Sequence, residues 1–539
     1  MGANNFICYT DVKSDGGTSV SYFYNLAENY EKSGRRNKAI AAYTKAIDLN
    51  PNYSHAYNNR GLVYVKLGEY EKAIQDYTKA IDLNPNYSHA YNNRGLVYVK
   101  LGEYEKAIRF YDKCIELDNT CTEAYNNRGN AYLNIKEYRK AVLDYTKAIN
   151  IDDNCGFAYG NRGFAYSNMG NWERAIDDYD TAIKIYPDNI KNYYKRGNAF
   201  LEVKNYIKAI SDFNKVIELK PDYTDAYYER GNSFAGLNKY LKAIDDYDAA
   251  IKLNPRYIKA YYKKGKAFAK LKNYTKAVED YNKVIKLEPG YADAYFDRAN
   301  INFELGNYRE AASDCDRAII LDSTKDNYFE MKGYIYYRTG DYGESVKCFE
   351  KALDINRNNP KIYYHRAFIN CKLGNYKDAI EDCGRAIAGD PDNYKNYLLR
   401  GNLYFSQDCY QKAIEDFNKA IELDNEINSI YKNKAIADFK LGNYKEVIED
   451  CNKAISSGIT KDHLIYNIKG VACFKTGGCE AALKALNISL ELDDKYAESY
   501  YYRGLVYAKL GDWKNATDDY MTAVELDPKY TYDPESRNK

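Results

Sequence analysis

Small and aromatic residues return at fixed places along this chain, first with the spacing of one helical face and then, after a polar break, with that of another. In residues 54–87, Tyr57, Gly61 and Tyr64 fall at i, i+4 and i+7, which predicts an amphipathic helix over about 55–67. Gly68 supplies a turn, and Tyr70, Ala73, Tyr77 and Ala80 repeat the spacing in a second helix. Pro85 stands near the start of the next block, where its missing N–H costs little. Each block is therefore expected to be a helical hairpin.

The block recurs every 34 residues. Residues 43–74 return unchanged at 77–108, and looser versions continue, giving fifteen copies from Val20 in the first, through Ser54 in the second, to Ala497 in the last. The register slips once, by one residue, in the polar stretch 456–463. A fixed period of this length means a stack in which each hairpin buries its apolar face on its neighbours, so a single array over 20–530 is expected rather than several cores. Residues 1–19 are expected to be a flexible N-terminal segment and 531–539 a C-terminal tail.

The small residues define the packing. The slot of Gly61 is Gly or Ala in every copy, from Ala27 to Gly504, and the slot of Ala73 departs only at Ser345 and Val447. A close helix approach is expected there, with aromatics such as Tyr57 and Tyr77 facing the notches. Most of the 62 tyrosines are accordingly core residues.

The pattern Tyr57, Gly61, Tyr64, Ala73, Tyr77, Ala80, Pro85 resembles the tetratricopeptide repeat, and the resemblance covers about 20–530 in register. It implies an all-α fold: an α-solenoid, a right-handed superhelix of antiparallel helix pairs whose first helices line a concave groove that binds peptides or partner proteins. Departures mark places where local packing differs. Asn302, Asn370 and Asp438 replace the aromatic of the Tyr64 slot, with Phe303 and Phe439 one residue later. The fourteenth copy, from His463, has Cys473, Cys479, Leu486 and Ser489 in place of aromatic residues or Ala and is expected to be the weakest link. Thr517 in the last copy suits a terminal cap.

Where the family motif has an apolar residue, ten copies carry Arg, among them Arg60, Arg94, Arg162 and Arg230. Sixteen residues later the chain usually has Asp: Asp76, Asp178 and Asp246 answer Arg60, Arg162 and Arg230. Leu26, Lys332 and Lys469 replace the Arg where Ala42, Cys348 and Ala485 replace the Asp, while Arg94 with Phe110 breaks the rule. A charge on a core-facing slot needs a partner, so a structural ion-pair ladder is expected.

Composition narrows the function. Lys and Arg number 78 against 77 Asp and Glu, a formal charge of +1, so no bulk field favours nucleic acid or an anionic membrane. No basic start followed by an apolar run and no long apolar segment is present, and the chain reads as soluble and cytoplasmic. Twelve cysteines form no C-x-x-C pair; Cys315, Cys383 and Cys451 occupy aromatic slots and Cys114 an alanine slot, so no metal is expected. Four histidines and the absence of phosphate-loop, dinucleotide, metalloprotease or nucleophile-elbow motifs leave no basis for catalysis or a cofactor.

Function is therefore sought on the first helices. Lys259, Lys263, Lys266 and Lys270 form one stripe in the eighth copy. Asp225, Glu229, Asp293 and Asp297 in neighbouring copies answer the first two, which leaves Lys266 and Lys270 as candidate groove cations. Members of the family that grip free C-terminal carboxylates converge basic and Asn side chains from three successive first helices. Asn130, Asn161, Lys191 and Lys195 match four of those places, and Asn126 stands where the first Lys is expected. Two readings remain, a carboxylate clamp held by charge-assisted hydrogen bonds or ordinary polar lining, since Asn is common in these slots throughout. The expected function is a non-catalytic scaffold or adaptor for other proteins or peptides, without nucleic-acid, membrane or small-molecule partners. A co-chaperone-like reader of free C-termini, or the regulatory arm of a larger enzyme assembly, is the alternative.

Overall fold

The computed structural model describes residues 19–424 and 430–531. The N-terminal segment with Cys8, the start of the thirteenth copy at Asn428, and the tail from 532 lie outside the described residues. Thirty α-helices are present among them, followed by a short 3-10 turn at Pro528–Thr531. Each copy is an antiparallel pair such as Ser54–Leu67 with Tyr70–Leu83, so the chain is an all-α solenoid. The described helices group into two compact units, one ending at Asp280 and the other starting at Tyr281.

The turn inside each hairpin needs a left-handed residue. Gly68 takes φ 80° with nothing within 4 Å of the place its Cβ would occupy, and the same slot holds glycine in most copies. Lys136, Lys204, Asn238, Lys272 and Asp408 occupy it elsewhere at φ 55–63°. Those five copies carry strain that glycine would remove.

In the first unit, packing is set by one close approach per hairpin. A Cβ on Gly61 would lie 2.8 Å from Tyr77 Cε1, on Gly95 2.6 Å from Tyr111, and on Gly129 2.7 Å from Tyr145. The ring at the Tyr77 slot, fully buried, is thus the knob in the glycine notch. Tyr57 is not; it packs against the buried cluster that includes Tyr43, Ala46, Ala56 and Val63.

The second unit alternates two solutions to the same volume. Gly333 with Phe349 and Gly401 with Phe417 keep the ring-in-notch arrangement, in which a Cβ on the glycine would lie 2.8 Å from the ring. The ninth, eleventh and thirteenth copies instead combine Ala299 with Cys315, Ala367 with Cys383, and Ala435 with Cys451, all fully buried. The alanine methyl takes the space of the ring edge, and a small sulfur side chain fills what remains. Only the first copy, with Ala27 and Tyr43 in one buried cluster, keeps a ring together with alanine.

The same three copies carry the polar substitutions at the Tyr64 slot, and the structure shows their use. Asn302 Nδ2 and Asn370 Nδ2 donate to Asp314 and Asp382 at 3.4 and 3.5 Å, and Asp438 accepts from Lys434 at 3.1 Å. Phe303 and Phe439 pack edge-on against Tyr308 and Tyr444.

The fourteenth copy is not loosely built. Its first helix, His463–Lys475, buries eight residues, including Ile465, Ile468, Val471 and Cys473. It also packs on the first helices of both neighbouring copies. Leu486 replaces the aromatic knob above Gly470, and a buried network links Asn467 to Ser499 at 2.9 Å and Ser499 to Ser489 at 2.9 Å. The extra residue at 456–463 is absorbed by a left-handed Gly458 and by Ile459, which turns into the core. Asp462 caps the next helix through the Leu464 N–H at 3.1 Å. Aliphatic contacts and a buried polar network, in which Asn467 Oδ1 is left without a partner, have replaced aromatic ones, a change that aromatic slots alone could not reveal.

Candidate functional site

The charged slots that recur through the stack form a repeated set of contacts, interrupted in a few copies. Arg60 donates through Nε and Nη2 to Asp76 at 2.8 and 2.7 Å, Arg162 to Asp178 at 2.9 and 2.7 Å, and Arg230 to Asp246 at 2.9 and 2.6 Å. Six further arginines make the same two-pronged contact, the geometry in which a guanidinium matches a carboxylate best. Burial pushes the Asp178 carboxyl above its ordinary range, opposed by the Arg162 hydrogen bonds and charge.

In several copies the third guanidinium nitrogen reaches the preceding copy. Nη1 of Arg60, Arg162 and Arg230 donates to Thr44, Thr146 and Asn214 at 2.9, 3.0 and 2.6 Å, and Arg196 reaches Asp180 at 2.5 Å. Lys332, which has lost its Asp within the copy, keeps the backward contact with Asp316 at 2.5 Å. The ladder therefore ties successive hairpins together as well as the two helices of one hairpin. The signal was present in the sequence, sixteen residues before each Arg, where the residue is usually Thr, Asp or Asn. Arg94, lacking an Asp, lies 4.4 Å over the Phe110 ring and leaves its buried Nε without an acceptor.

On the first helices, asparagine amides connect consecutive copies: Asn93 donates to Asn58 at 3.0 Å and Asn127 to Asn92 at 3.1 Å. Asn126, Asn130 and Asn161 are brought together by the same pattern. Asn161 Nδ2 donates to both Asn126 Oδ1 and Asn130 Oδ1 at 3.1 Å, and the Tyr145 hydroxyl donates to Asn130 Oδ1 at 2.8 Å. Both amide hydrogens of Asn161 are thus engaged, so a carboxylate would meet the Nδ2 groups of Asn126 and Asn130 instead. Lys191 is exposed. Lys195 is half-buried, its ammonium 3.9 Å over the Phe164 ring, and burial followed by the Lys191 charge lowers its pKa. With Phe164, Trp172, Asn198 and Glu202 it lines a cavity of about 210 Å³ between the first helices of the fifth and sixth copies.

Lys266 and Lys270 are exposed on Ile258–Lys270, with the Lys266 ammonium 5.4 Å over Tyr262. A second cavity, of about 220 Å³, opens between the first helices of the tenth and eleventh copies and is walled by aromatic rings. Its residues escaped the sequence reading because an aromatic-rich chain makes each ring look like core. Among the described residues no group of His, Cys, Asp and Glu is placed to hold a metal ion, and no helix is long and apolar enough to cross a membrane.

Comparison with known proteins follows the same repeat. Family models described as TPR repeat match residues 27–68, 61–102, 231–272, 265–306 and 333–374. Models described as tetratricopeptide repeat match 88–121, 122–155, 157–189, 394–426 and 497–530, and a third, of the same description, matches 190–223 and 292–325. Human tetratricopeptide repeat protein 6 is 32% identical over 71 residues, a match spanning 13% of this chain and only 14% of that protein. Among solved structures, YrrB, described as a TPR protein with an unusual peptide-binding site, is 26% identical, with 35% of this chain and 97% of that one covered at a TM-score of 0.33. Yeast Tom70 is 17% identical, with 78% and 95% covered at a TM-score of 0.35. With repeat models matched over most of residues 27–426 and again over 497–530, on hairpins whose notches and knobs fall where those repeats require them, the chain belongs to the tetratricopeptide repeat family.

Proposed function

We propose that this protein is a non-catalytic scaffold or adaptor that holds segments of partner proteins against the face formed by successive first helices. The observation that carries this reading is the position of the two cavities. Both open between first helices of consecutive copies, on the slots where side chains change from copy to copy. The glycine notch, the facing ring and the Arg–Asp pair repeat, as structural parts should. Near-equal numbers of basic and acidic residues favour proteins over nucleic acid as partners.

Photo-cross-linking residues introduced one at a time into the full chain test this. Lys191 and Lys361 are exposed on first helices, and Leu143 and Leu241 are exposed on second helices. Partner proteins are expected to be captured from the first pair of positions and not from the second. Capture confined to Leu143 and Leu241 would overturn the reading.

Recognition of a free C-terminal carboxylate is a narrower form of this function, supported by the Asn126, Asn130 and Asn161 cluster and by the exposure of Lys191 on the following first helix. It requires Lys195 to leave the Phe164 ring. Fluorescence polarisation with peptides carrying free or amidated C-termini decides it, since a clamp loses affinity on amidation and polar lining does not.

A further inference from the structure

The cavity of the second unit differs in chemistry from the amide-lined one. It lies between Asp326–Thr339 and Pro360–Lys372 and is lined by Tyr334, Tyr337, Phe349, Tyr364, His365 and Phe368. Tyr334 and Phe368 occupy the slot that holds Asn130 in the fourth copy, and His365 occupies the slot of Asn161, so rings stand here where amides stand elsewhere. His365 meets Tyr334 edge-on at 4.9 Å and 89°, and Phe368 meets Tyr337 at 6.1 Å and 79°. At about 30 Å³ of liquid per water molecule, a volume near 220 Å³ has room for a bicyclic side chain.

Two features select the occupant. His365 is held neutral, its pKa pushed down to about 4 by burial and by the Lys361 charge. No described side chain hydrogen-bonds it, so a ring nitrogen remains as an acceptor inside aromatic walls. The Tyr334 hydroxyl is already committed to Glu330 at 2.9 Å. Around the mouth, Lys361 lies 5.5 Å over Tyr334 and Lys372 5.6 Å over Phe368, both exposed, with the Glu330 carboxylate 3.5 Å from Lys361. A cationic ligand would meet these ammonium groups, whereas flanking acids would complement them.

We propose that this cavity receives the indole of a tryptophan from an acidic segment of a partner protein, its N–H donating to His365 while neighbouring carboxylates meet Lys361 and Lys372. The inference rests on the first helices being the binding face. An indole is a donor without an acceptor, which matches a neutral imidazole nitrogen, and it is the largest ring a protein partner can insert. Phenylalanine would fill part of the space but leave the nitrogen unbonded.

The test uses the full chain and an end-blocked, fluorescein-labelled heptapeptide with tryptophan at its centre and Asp and Glu on both sides, read by fluorescence polarisation. Replacing the central residue by Phe is expected to weaken binding roughly five- to tenfold, the scale of one net hydrogen bond. Replacement by Ala is expected to weaken it on the order of a hundredfold, as for a buried aromatic anchor. Flanking Lys and Arg should also weaken it, and Lys361→Glu should reverse that preference. His365→Phe should equalise the Trp and Phe peptides without abolishing either, a readout that survives if Phe368→Ala disturbs folding. Equal binding of the Trp and Ala peptides, or a Trp-over-Phe preference that persists in His365→Phe, would overturn the proposal. If the peptides fail while Lys191 and Lys361 still cross-link partners, the cavity assignment falls and the scaffold stands; capture only at Leu143 and Leu241 would remove both.

Discussion

Removing Arg162 should leave a buried carboxylate whose penalty depends on pH in a calculable way. Asp178 has a side chain only 7% exposed and two hydrogen bonds from Arg162 at 2.9 and 2.7 Å. Arg162→Met keeps the volume of the stem and removes both bonds, and breaking such a pair costs about 3–5 kcal/mol when the remaining charge stays buried. The carboxyl has an escape, which is to bind a proton. From an ordinary value of 3.8, protonation at pH 7 costs about 4 kcal/mol at 1.36 kcal/mol per unit, and at pH 5 only about 1.6 kcal/mol. The sign follows from linkage: the folded pKa of Asp178 is raised by burial already in the wild type and more without Arg162. The variant thus binds protons more strongly when folded and loses stability as pH rises through that folded pKa. The expected loss is about 3 kcal/mol at pH 7, falling below about 1.6 kcal/mol at pH 5. Asp178→Leu should cost less, because Arg162 is more exposed and keeps Thr146 at 3.0 Å, and the double variant should cost less than Arg162→Met alone. Since a stack does not unfold as one unit, the measurement is the local opening free energy of Gly156–Asn168 and Trp172–Ile185 by hydrogen exchange with mass spectrometry. Additive single variants, or a loss that is the same at pH 5 and pH 7, would refute the argument.

Other perturbations test different parts of the packing. Gly129→Ala should destabilise its hairpin by roughly 1–3 kcal/mol, because the new Cβ would sit 2.7 Å from the Tyr145 ring. Tyr145→Cys in the same chain should recover much of that loss, as the Ala367 and Cys383 pair does naturally, and a double variant worse than the single one in thermal melts would contradict this. Phe110→Asp should stabilise the third copy by about 1 kcal/mol by giving the buried Arg94 Nε an acceptor, after subtracting the attraction between the guanidinium and the Phe110 ring; slower exchange in Ser88–Lys100 is the readout. Lys264→Arg should satisfy Asp280 Oδ2 and lower the Asp280 pKa from about 6. Because a raised carboxyl pKa removes stability as pH rises through it, this variant should gain on the wild type between pH 4 and pH 7, and parallel pH–stability curves would count against the assignment. Lys204→Gly should stabilise its turn by roughly 1 kcal/mol by relieving the left-handed strain at φ 57°.

The 34-residue period, read alone, determined the hairpins, their turns and their stacking, because a repeated pattern of small and apolar positions has only one economical way to be buried. It also determined which Arg and Asp belong together, since both lie in one hairpin sixteen residues apart. What it could not determine were contacts that depend on the rotation between one hairpin and the next. The Nη1 contacts of the arginines with Thr44, Thr146 and Asn214, and both Asn161 hydrogens spent on Asn126 and Asn130, are of this kind. Lys195 reads as a groove cation from its slot but lies over Phe164, because a ring face across the gap between copies attracts its ammonium. The cavity beside His365 is the extreme case. Its walls come from two first helices and one second helix, each ring occupying an unremarkable slot in its own copy. Spacing along a helix specifies a face, and only the packing of successive hairpins decides whether facing side chains meet, pair or leave room.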